Sequence, residues 1–217
     1  ALKQYRIFIF NPPSINSPLY NSAHYNLGYC HFKLENYAES NTWFRKYMRN
    51  KQETITVKFN DALIRTGDGS LVLKEYDNAL MFYNQAIEAK AKSSDYALFQ
   101  TGIIRGIRGE NTEKARIMEK LVTSYPKSIY AAAAYYEKGE ALLSEGNFKG
   151  AEDIYRKVSR DYPNSDYARK SMLKTGLALY NQQQDEKALA VYKDVVKKYP
   201  GTTECVAALT GIKNIYV

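Results

Sequence analysis

The chain has 217 residues and a formal net charge of +8, and 45% of its residues are hydrophobic. This hydrophobic content is sufficient for a core, and the sequence has no run of about 18 apolar residues that would predict a transmembrane helix. The basic charge leaves nucleic-acid binding open as one class of function.

Glycine marks a pattern that recurs along the whole sequence at intervals of 35 to 39 residues. These marker glycines are Gly28, Gly67, Gly102, Gly139, Gly176 and Gly211. A period of about 20–50 residues is typical of proteins in which one supersecondary unit is stacked repeatedly. The sequence therefore predicts a repeat protein.

In chain order, the pattern divides the sequence into five complete units and two partial ones. The segments are 1–16, 17–53, 54–92, 93–127, 128–164, 165–201 and 202–217. Residues 1–16 resemble the second half of a unit, and residues 202–217 resemble the first half. We therefore expect a single repeat domain that is a fragment of a longer array, and incomplete ends of this kind favour self-association.

Each complete unit is predicted to be a hairpin of two α-helices. In 128–164, small and apolar residues recur three or four positions apart on both sides of a break at Gly146. Glycine readily adopts the left-handed backbone conformation that often ends an α-helix. Ser128 and the corresponding Ser165 are predicted N-caps. Proline disfavours helical conformation in the residue before it and is expected to end the second helices. These prolines are Pro126, Pro163 and Pro200.

Small residues are predicted where the two helices of a hairpin touch. In 128–164 the contact would join Gly139 to Ala151, and Tyr155 would fill the space one turn further on. The equivalent small and aromatic residues of two other units are Ala79, Ala188, Tyr83 and Tyr192. Lys114 departs from this pattern, and the neighbouring Ala115 is the candidate to replace it through a local shift. Three glycines in 102–109 also weaken the helix propensity of that unit.

A glycine, an alanine twelve residues later, an aromatic residue four further on and a closing proline together resemble the tetratricopeptide repeat. The resemblance implies an all-α, right-handed superhelix (solenoid) of stacked antiparallel helical hairpins. The Tyr-Pro-x-Ser joint at 162–165 is similar to a subset common in bacterial cell-envelope proteins. That subset includes the Tol-Pal coordination protein and the lipoprotein of the outer-membrane assembly machine. The resemblance alone implies a periplasmic or outer-membrane-associated location.

The resemblance also implies a concave groove, lined by residues six and three before each marker glycine and one, four and five after it. The predicted lining residues are Tyr25, Tyr29, Phe32, Lys33, Ile64, Leu71, Tyr96, Phe99, Ile103, Tyr136, Glu140, Leu143, Leu173, Tyr180 and Asn181. This lining is aromatic and mostly uncharged, and aromatic side chains often form binding hot spots. Alternatively, some of these lining residues are expected to pack against the next repeat instead of facing the groove. The first lysine of a clamp for chaperone carboxylates would stand at positions that are held here by Tyr25, Ile64, Phe99, Tyr136 and Leu173, so such a clamp is not expected.

Candidate residues for metal binding and catalysis are few. His24 and His31 are seven residues apart, or about 10.5 Å along a helix, which is too far for them to share one zinc ion. His31 with Glu35 would form only a weak site, so no metal or other cofactor is expected. Cys30 and Cys205 belong to distant units and are expected to be free thiols. The sequence contains none of the common catalytic motifs.

Charged side chains are expected to solubilise the helix surfaces. Glu137, Glu140, Glu152 and Asp153 are predicted to lie on solvated faces and in i,i+4 ion pairs. The lysines and arginines of the second helices are interspersed with acids, whereas a nucleic-acid site favours clustered basic residues with aromatic ones between them. Binding to nucleic acid is therefore the third candidate.

The sequence favours a non-catalytic scaffold that binds a protein or peptide partner in its groove. The resemblance to envelope proteins implies a role in bacterial envelope assembly or maintenance. The alternative is binding of a glycan polymer, such as peptidoglycan, along a tyrosine-rich groove.

Overall fold

The computed structural model describes residues 1–49, 56–90 and 92–217. Throughout these ranges the secondary structure is helical, with no β-strand. The described helices are α1 (Leu2–Ile9), α2 (Tyr20–Lys33), α3 (Tyr37–Met48), α4 (Val57–Val72), α5 (Tyr76–Glu88), α6 (Ser94–Ile107), α7 (Asn111–Ser124), α8 (Ala131–Ser144), α9 (Phe148–Asp161), α10 (Asp166–Asn181), α11 (Asp185–Lys198) and α12 (Thr203–Tyr216), with a short 3₁₀-helix at Pro12–Asn16. The predicted boundary between 17–53 and 54–92 lies outside the described residues.

The helices are arranged as hairpins in two compact units, Ala1–Thr101 and Gly102–Val217. In unit 1, α2 packs on α3 and α4 packs on α5. In unit 2, α8 packs on α9 and α10 packs on α11, while α12 packs on both α10 and α11. The prediction of an all-α fold built from stacked helical hairpins is confirmed.

The marker glycines allow close contact between the two helices of a hairpin. A Cβ atom placed on Gly139 would lie only 2.5 Å from Cε1 of Tyr155. The same contact joins four other pairs of residues sixteen positions apart, namely Gly28–Phe44, Gly67–Tyr83, Gly102–Met118 and Gly176–Tyr192. The sequence predicted a contact between Gly139 and Ala151. Both are buried, but the large side chain of Tyr155 is what approaches the glycine most closely.

The turns inside the hairpins require a residue with positive φ. The prediction that Gly146 takes the left-handed conformation is confirmed, with φ at 75°, and Gly109 has the same value. Glu35, Lys74 and Gln183 adopt φ of 60° at the corresponding turns. Residues other than glycine pay a steric cost in this conformation, so the repeated geometry overrides local preference at these three turns.

Two predicted helix starts need correction or refinement. Ser128 is not an N-cap, because α8 begins only at Ala131 and the Ser128 hydroxyl instead accepts the Tyr130 N–H at 3.1 Å. Ser165 does precede α10, but its hydroxyl donates to the Tyr162 carbonyl at 2.9 Å. Ser128 and Ser165 therefore stabilise the connecting turns through their side chains.

The glycine-rich repeat at 93–127 keeps the residue spacing of the other repeats without a local shift. Lys114 itself occupies the small-residue position and is only 9% exposed, so the prediction that Ala115 replaces it is wrong. Its stem passes over Gly106, and its ammonium group pairs with Glu137 at 2.5 Å. The helix α6 continues through Gly102 and Gly106 despite their low helix propensity.

Candidate partner-binding site

The predicted lining residues lie on the first helices of the hairpins. We call their exposed surface the first-helix wall, and we describe it separately for each unit. Unit 1 contains Tyr25, Tyr29, Phe32, Lys33, Ile64, Leu71, Tyr96 and Phe99. Unit 2 contains Ile103, Tyr136, Glu140, Leu143, Leu173, Tyr180 and Asn181.

The wall of unit 1 begins with aromatic side chains on α2. The rings of Tyr25 and Tyr29 are stacked with centroids 6.3 Å apart. The Lys33 ammonium group lies 5.5 Å from the centre of the Tyr29 ring, and Tyr29 remains 37% exposed. A cation near an aromatic face is favourable, so Lys33 helps to hold Tyr29 in place while leaving part of it accessible.

Charged residues from α4 lie beside these rings. The Arg65 guanidinium lies 5.2 Å from the centre of the Phe32 ring and forms ion pairs with Asp61 at 3.5 Å and Asp68 at 3.3 Å. Asp61 also accepts a hydrogen bond from the Tyr25 hydroxyl at 2.8 Å. These contacts connect α2 to α4 and fix the side chains of the wall.

Asp68 is the centre of a second set of contacts. Its Oδ1 accepts hydrogen bonds from the hydroxyl groups of Tyr83 at 2.7 Å and Tyr96 at 2.8 Å. Burial raises the pKa of Asp68, although the hydrogen bonds from both tyrosines and the charge of Arg65 act against this rise. Burial and the bond to Asp68 also raise the pKa of Tyr83, so its hydroxyl stays protonated and able to donate.

The prediction of a mostly uncharged wall is therefore corrected. Asp61 lies six residues before Gly67 and Asp68 lies one after it, so both satisfy the spacing rule that selected the other lining residues. The same rule also selects Ile64, but Ile64 is only 5% exposed and belongs to the core. The rule locates a face of the helix without distinguishing exposed residues from buried ones. Several other predicted residues are half-buried, namely Leu71, Phe99, Ile103, Leu143 and Leu173.

The wall of unit 2 repeats the tyrosine–carboxylate contact. The Tyr155 hydroxyl donates a hydrogen bond to Glu140, which also accepts one from Lys174 at 2.9 Å. The Tyr136 ring packs against Tyr155 and Tyr167, with centroids 5.8 and 5.4 Å apart. Glu140 therefore joins α8, α9 and α10, a role that differs from the solvated one expected from sequence.

A cavity of about 200 Å³ opens on the unit 2 wall between α10 and α12. Its lining includes Leu173, Lys174, Leu177, Tyr180, Tyr192, Ala207 and Asn214. Tyr180 is 37% exposed, and the neighbouring Asn181 is also exposed. This cavity combines apolar walls with a lysine, a tyrosine hydroxyl and an amide.

The candidate metal ligands lie among core and aromatic residues. His24 packs between Tyr20 and Trp43, and His31 is 5% exposed. Across residues 1–49, 56–90 and 92–217 there is no group of three or more metal-ligating side chains of the His, Cys, Asp and Glu types. Cys30 and Cys205 are both free.

Many charges on the second helices are paired. Lys149 contacts Asp153 at 2.8 Å and Arg156 contacts Glu152 at 2.8 Å, both with the expected i,i+4 spacing. The solvated position expected for Glu152 is wrong, because this residue is only 6% exposed. Glu137, by contrast, pairs between hairpins with Lys114. Within the described part of the chain, no helix has both the length and the apolar character needed to cross a membrane.

Two family models match separate parts of the sequence. Residues 131–210 match an outer membrane lipoprotein family (YfiO), and residues 1–53 match a tetratricopeptide repeat family. No curated protein matches the chain significantly. The two matches lie in different units and agree with the resemblance drawn from the repeat pattern.

Solved structures with a similar fold are tetratricopeptide proteins or share their architecture. YrrB, described as a TPR protein with an unusual peptide-binding site, is 14% identical, and the match covers 98% of this chain and 100% of that one with a TM-score of 0.70. MamA from Desulfovibrio magneticus RS-1 is 14% identical over 84% of this chain and 97% of its own, with a TM-score of 0.67. A tetratricopeptide repeat protein from Parabacteroides merdae is 15% identical, and the match covers 100% of this chain and 79% of that one with a TM-score of 0.65. At these identities the likeness concerns the fold, and it confirms the predicted solenoid class.

Proposed function

The chain is a tetratricopeptide repeat protein, and we propose that it is a non-catalytic scaffold that binds a protein or peptide segment along its first-helix walls. The similarity of residues 131–210 to an outer membrane lipoprotein family supports a role in assembly or maintenance of a bacterial envelope. The proposed location is the periplasm or the periplasmic side of the outer membrane. Detection of the full-length protein in the cytosolic fraction of its source cells would contradict that location.

The observation that carries this proposal is the presence of accessible tyrosines on both walls, one of which, Tyr29, is also held by its neighbours. Tyr29 and Tyr180 are each 37% exposed. Tyr29 is held by Tyr25 and Lys33, and Tyr180 borders the cavity between α10 and α12. Tyrosine offers a large contact area and a polar group, and side chains already ordered before binding lose less entropy when a partner docks.

The chemistry of the walls favours a peptide over the other two candidates. Side-chain donors, acceptors and cations alternate with aromatic rings, as in the contacts of Arg65 with Phe32 and Asp68. Such a surface suits the mixed polar and apolar character of an extended chain. YrrB, the similar structure described as having a peptide-binding site, supports the same class of partner.

A peptide-selection experiment tests the proposal. A random dodecapeptide library displayed on phage is selected against the whole chain, and the enriched peptides are synthesised and measured by isothermal titration calorimetry. We expect combined Tyr29→Ala and Tyr180→Ala to weaken binding about thirtyfold or more, which corresponds to about 2 kcal/mol. Tyr216→Ala is the matched control, because Tyr216 is an exposed tyrosine on α12 outside the predicted lining.

Two outcomes would overturn the proposal. If the double variant remains folded by circular dichroism and binds the selected peptides as tightly as the parent, the walls are not the binding surface. If no peptide is enriched but soluble peptidoglycan fragments bind and the double variant abolishes that binding, the glycan alternative is correct.

A further inference from the structure

Three tyrosines occupy the same position in three hairpins, and the hydroxyl groups of two of them each donate to a carboxylate of their own hairpin. Tyr83 and Tyr155 pack against marker glycines, and their hydroxyl groups donate to the carboxylates of Asp68 and Glu140. Each carboxylate belongs to the residue directly after the marker glycine. The repeat therefore contains a recurring site in which a tyrosine hydroxyl is satisfied by a carboxylate of the same hairpin.

The third tyrosine lacks this partner. Tyr192 packs against Gly176 as Tyr155 packs against Gly139, since a Cβ on either glycine would lie 2.5 Å from the ring Cε1. The residue after Gly176 is Leu177, which offers no acceptor. Among the described side chains and backbone groups, none forms a hydrogen bond with the Tyr192 hydroxyl, although Tyr192 is only 3% exposed.

The remaining exposure of Tyr192 faces the cavity between α10 and α12. Leu173, Leu177 and Ala207 supply apolar walls for this cavity. Lys174 also borders it, and its ammonium group contacts Glu140 at 2.9 Å while 26% of its side chain stays exposed. A group that enters the cavity thus meets an apolar wall, a hydroxyl donor and a positive charge.

We propose that this cavity binds a glutamate side chain of the partner segment, whose carboxylate takes the place that Asp68 and Glu140 occupy in the other hairpins. The methylene groups of the glutamate pack against Leu173 and Leu177, and its carboxylate accepts a hydrogen bond from the Tyr192 hydroxyl near Lys174. This inference rests on the proposed function, because it assumes that a peptide lies along the unit 2 wall.

Two physical properties support an acidic occupant. Burial raises the pKa of Tyr192 to about 12, so the hydroxyl remains a donor at neutral pH. The Tyr192 hydroxyl is not among the fully buried unpaired atoms, so it can donate to a group that enters the cavity, and a carboxylate would form a stronger hydrogen bond with it than a neutral acceptor. The charge of Lys174 is already paired with Glu140 at 2.9 Å, so the Tyr192 hydroxyl is the group that distinguishes a carboxylate from an amide in this cavity.

The test uses peptides selected against the whole chain as described above. We expect one acidic position to be enriched, and replacing its glutamate by glutamine should weaken binding to the parent about tenfold. With Tyr192→Phe the same replacement should change affinity less than about twofold, because the donor is gone. Tyr155→Phe is the matched control and should keep the tenfold preference, since the Tyr155 hydroxyl is already bound to Glu140.

A second variant supplies the missing carboxylate within the chain. In Leu177→Glu the new side chain stands at the same repeat position as Asp68 and Glu140, and we expect the preference for an acidic peptide to disappear. The comparison variant Leu177→Gln introduces a neutral side chain of the same length and should retain most of the preference.

The outcomes separate this inference from the proposed function. If the parent selects no peptide, the proposed function fails as well. If peptides bind through the walls without preferring glutamate, or if the preference survives in a folded Tyr192→Phe variant, only the glutamate site is wrong.

Discussion

Gly106 and Lys114 are complementary in size across the α6–α7 hairpin. A Cβ atom on Gly106 would lie 2.8 Å from Cδ of Lys114, so the absence of a side chain at Gly106 leaves room for the lysine stem. This route brings the ammonium group to Glu137 at 2.5 Å. The long residue at a small-residue position is therefore accommodated by a glycine opposite it.

We predict that alanine has different effects at Gly106 and Gly139. At Gly106 the methyl group would displace only a flexible lysine stem, and alanine favours the helix by about 1 kcal/mol, so the net change in stability should be below about 1 kcal/mol. At Gly139 it would meet the buried Tyr155 ring at 2.5 Å, and we expect a loss of about 2–3 kcal/mol. Urea unfolding measures both, and equal losses would contradict the difference in packing.

A second prediction concerns the ion pair between Lys114 and Glu137, whose side chains are 11% and 22% exposed. Lys114→Met keeps the stem but leaves Glu137 without its cation, and we expect it to cost about 1–2 kcal/mol. A double-mutant cycle with Glu137→Gln should give a coupling energy of about 1 kcal/mol. The exposed Lys149–Asp153 pair is the control and should show weaker coupling. No coupling between Lys114 and Glu137 would contradict the contact.

Spacing in the sequence predicted the hairpins well because each depends on residues close to one another along the chain. The pairs Gly139–Tyr155 and Gly176–Tyr192 recur with one separation, so their contact follows from the repeat itself. The start of α8 could not be obtained in this way, since Ser128 has the residue type of an N-cap but forms a turn. Local composition does not distinguish these two uses of a serine hydroxyl.

The charged part of the candidate site was predictable in position but not in role. Asp68 and Glu140 both follow a marker glycine, and this common position could have identified Asp68 as a wall residue. Their hydrogen bonds to Tyr83 and Tyr155 depend on the packing of two helices, which residue spacing does not report. The partner of Lys114 belongs to the next hairpin, so the pattern of a single repeat does not predict that ion pair.

A third prediction compares phenylalanine substitutions at the three equivalent tyrosines. Tyr83→Phe and Tyr155→Phe each remove a donor to a partly buried carboxylate, and we expect each to cost about 1–2 kcal/mol. Tyr192→Phe removes a hydroxyl that has no partner among the described residues, so its effect on the isolated protein should be close to zero. Denaturant unfolding of the three variants checks this order. A loss for Tyr192→Phe as large as the other two would mean that its hydroxyl is satisfied internally.

The last prediction concerns His31, whose two ring nitrogens are buried and lack hydrogen-bond partners within the described structure. Burial lowers the pKa of His31, and the positive charge of Arg6 lowers it further, while Glu39 acts in the opposite direction. The unfolded chain has an ordinary histidine pKa of about 6.5 and therefore takes up a proton at a higher pH than the folded protein does. The stability contributed by neutral His31 is present above that value and is lost as the pH falls towards the lower folded pKa.

Replacing His31 by leucine tests this sign directly. Leucine removes two unsatisfied buried nitrogens, so His31→Leu should be at least as stable as the parent at about pH 7.5. The stability difference in favour of the variant should grow at about pH 5.5, where only the parent loses stability through His31. His24 remains in both proteins and, because burial and Lys46 lower its pKa, contributes the same loss to each. Urea unfolding at the two pH values measures the difference, and a variant whose advantage shrinks in acid would show that folded His31 is protonated more readily than in the unfolded chain.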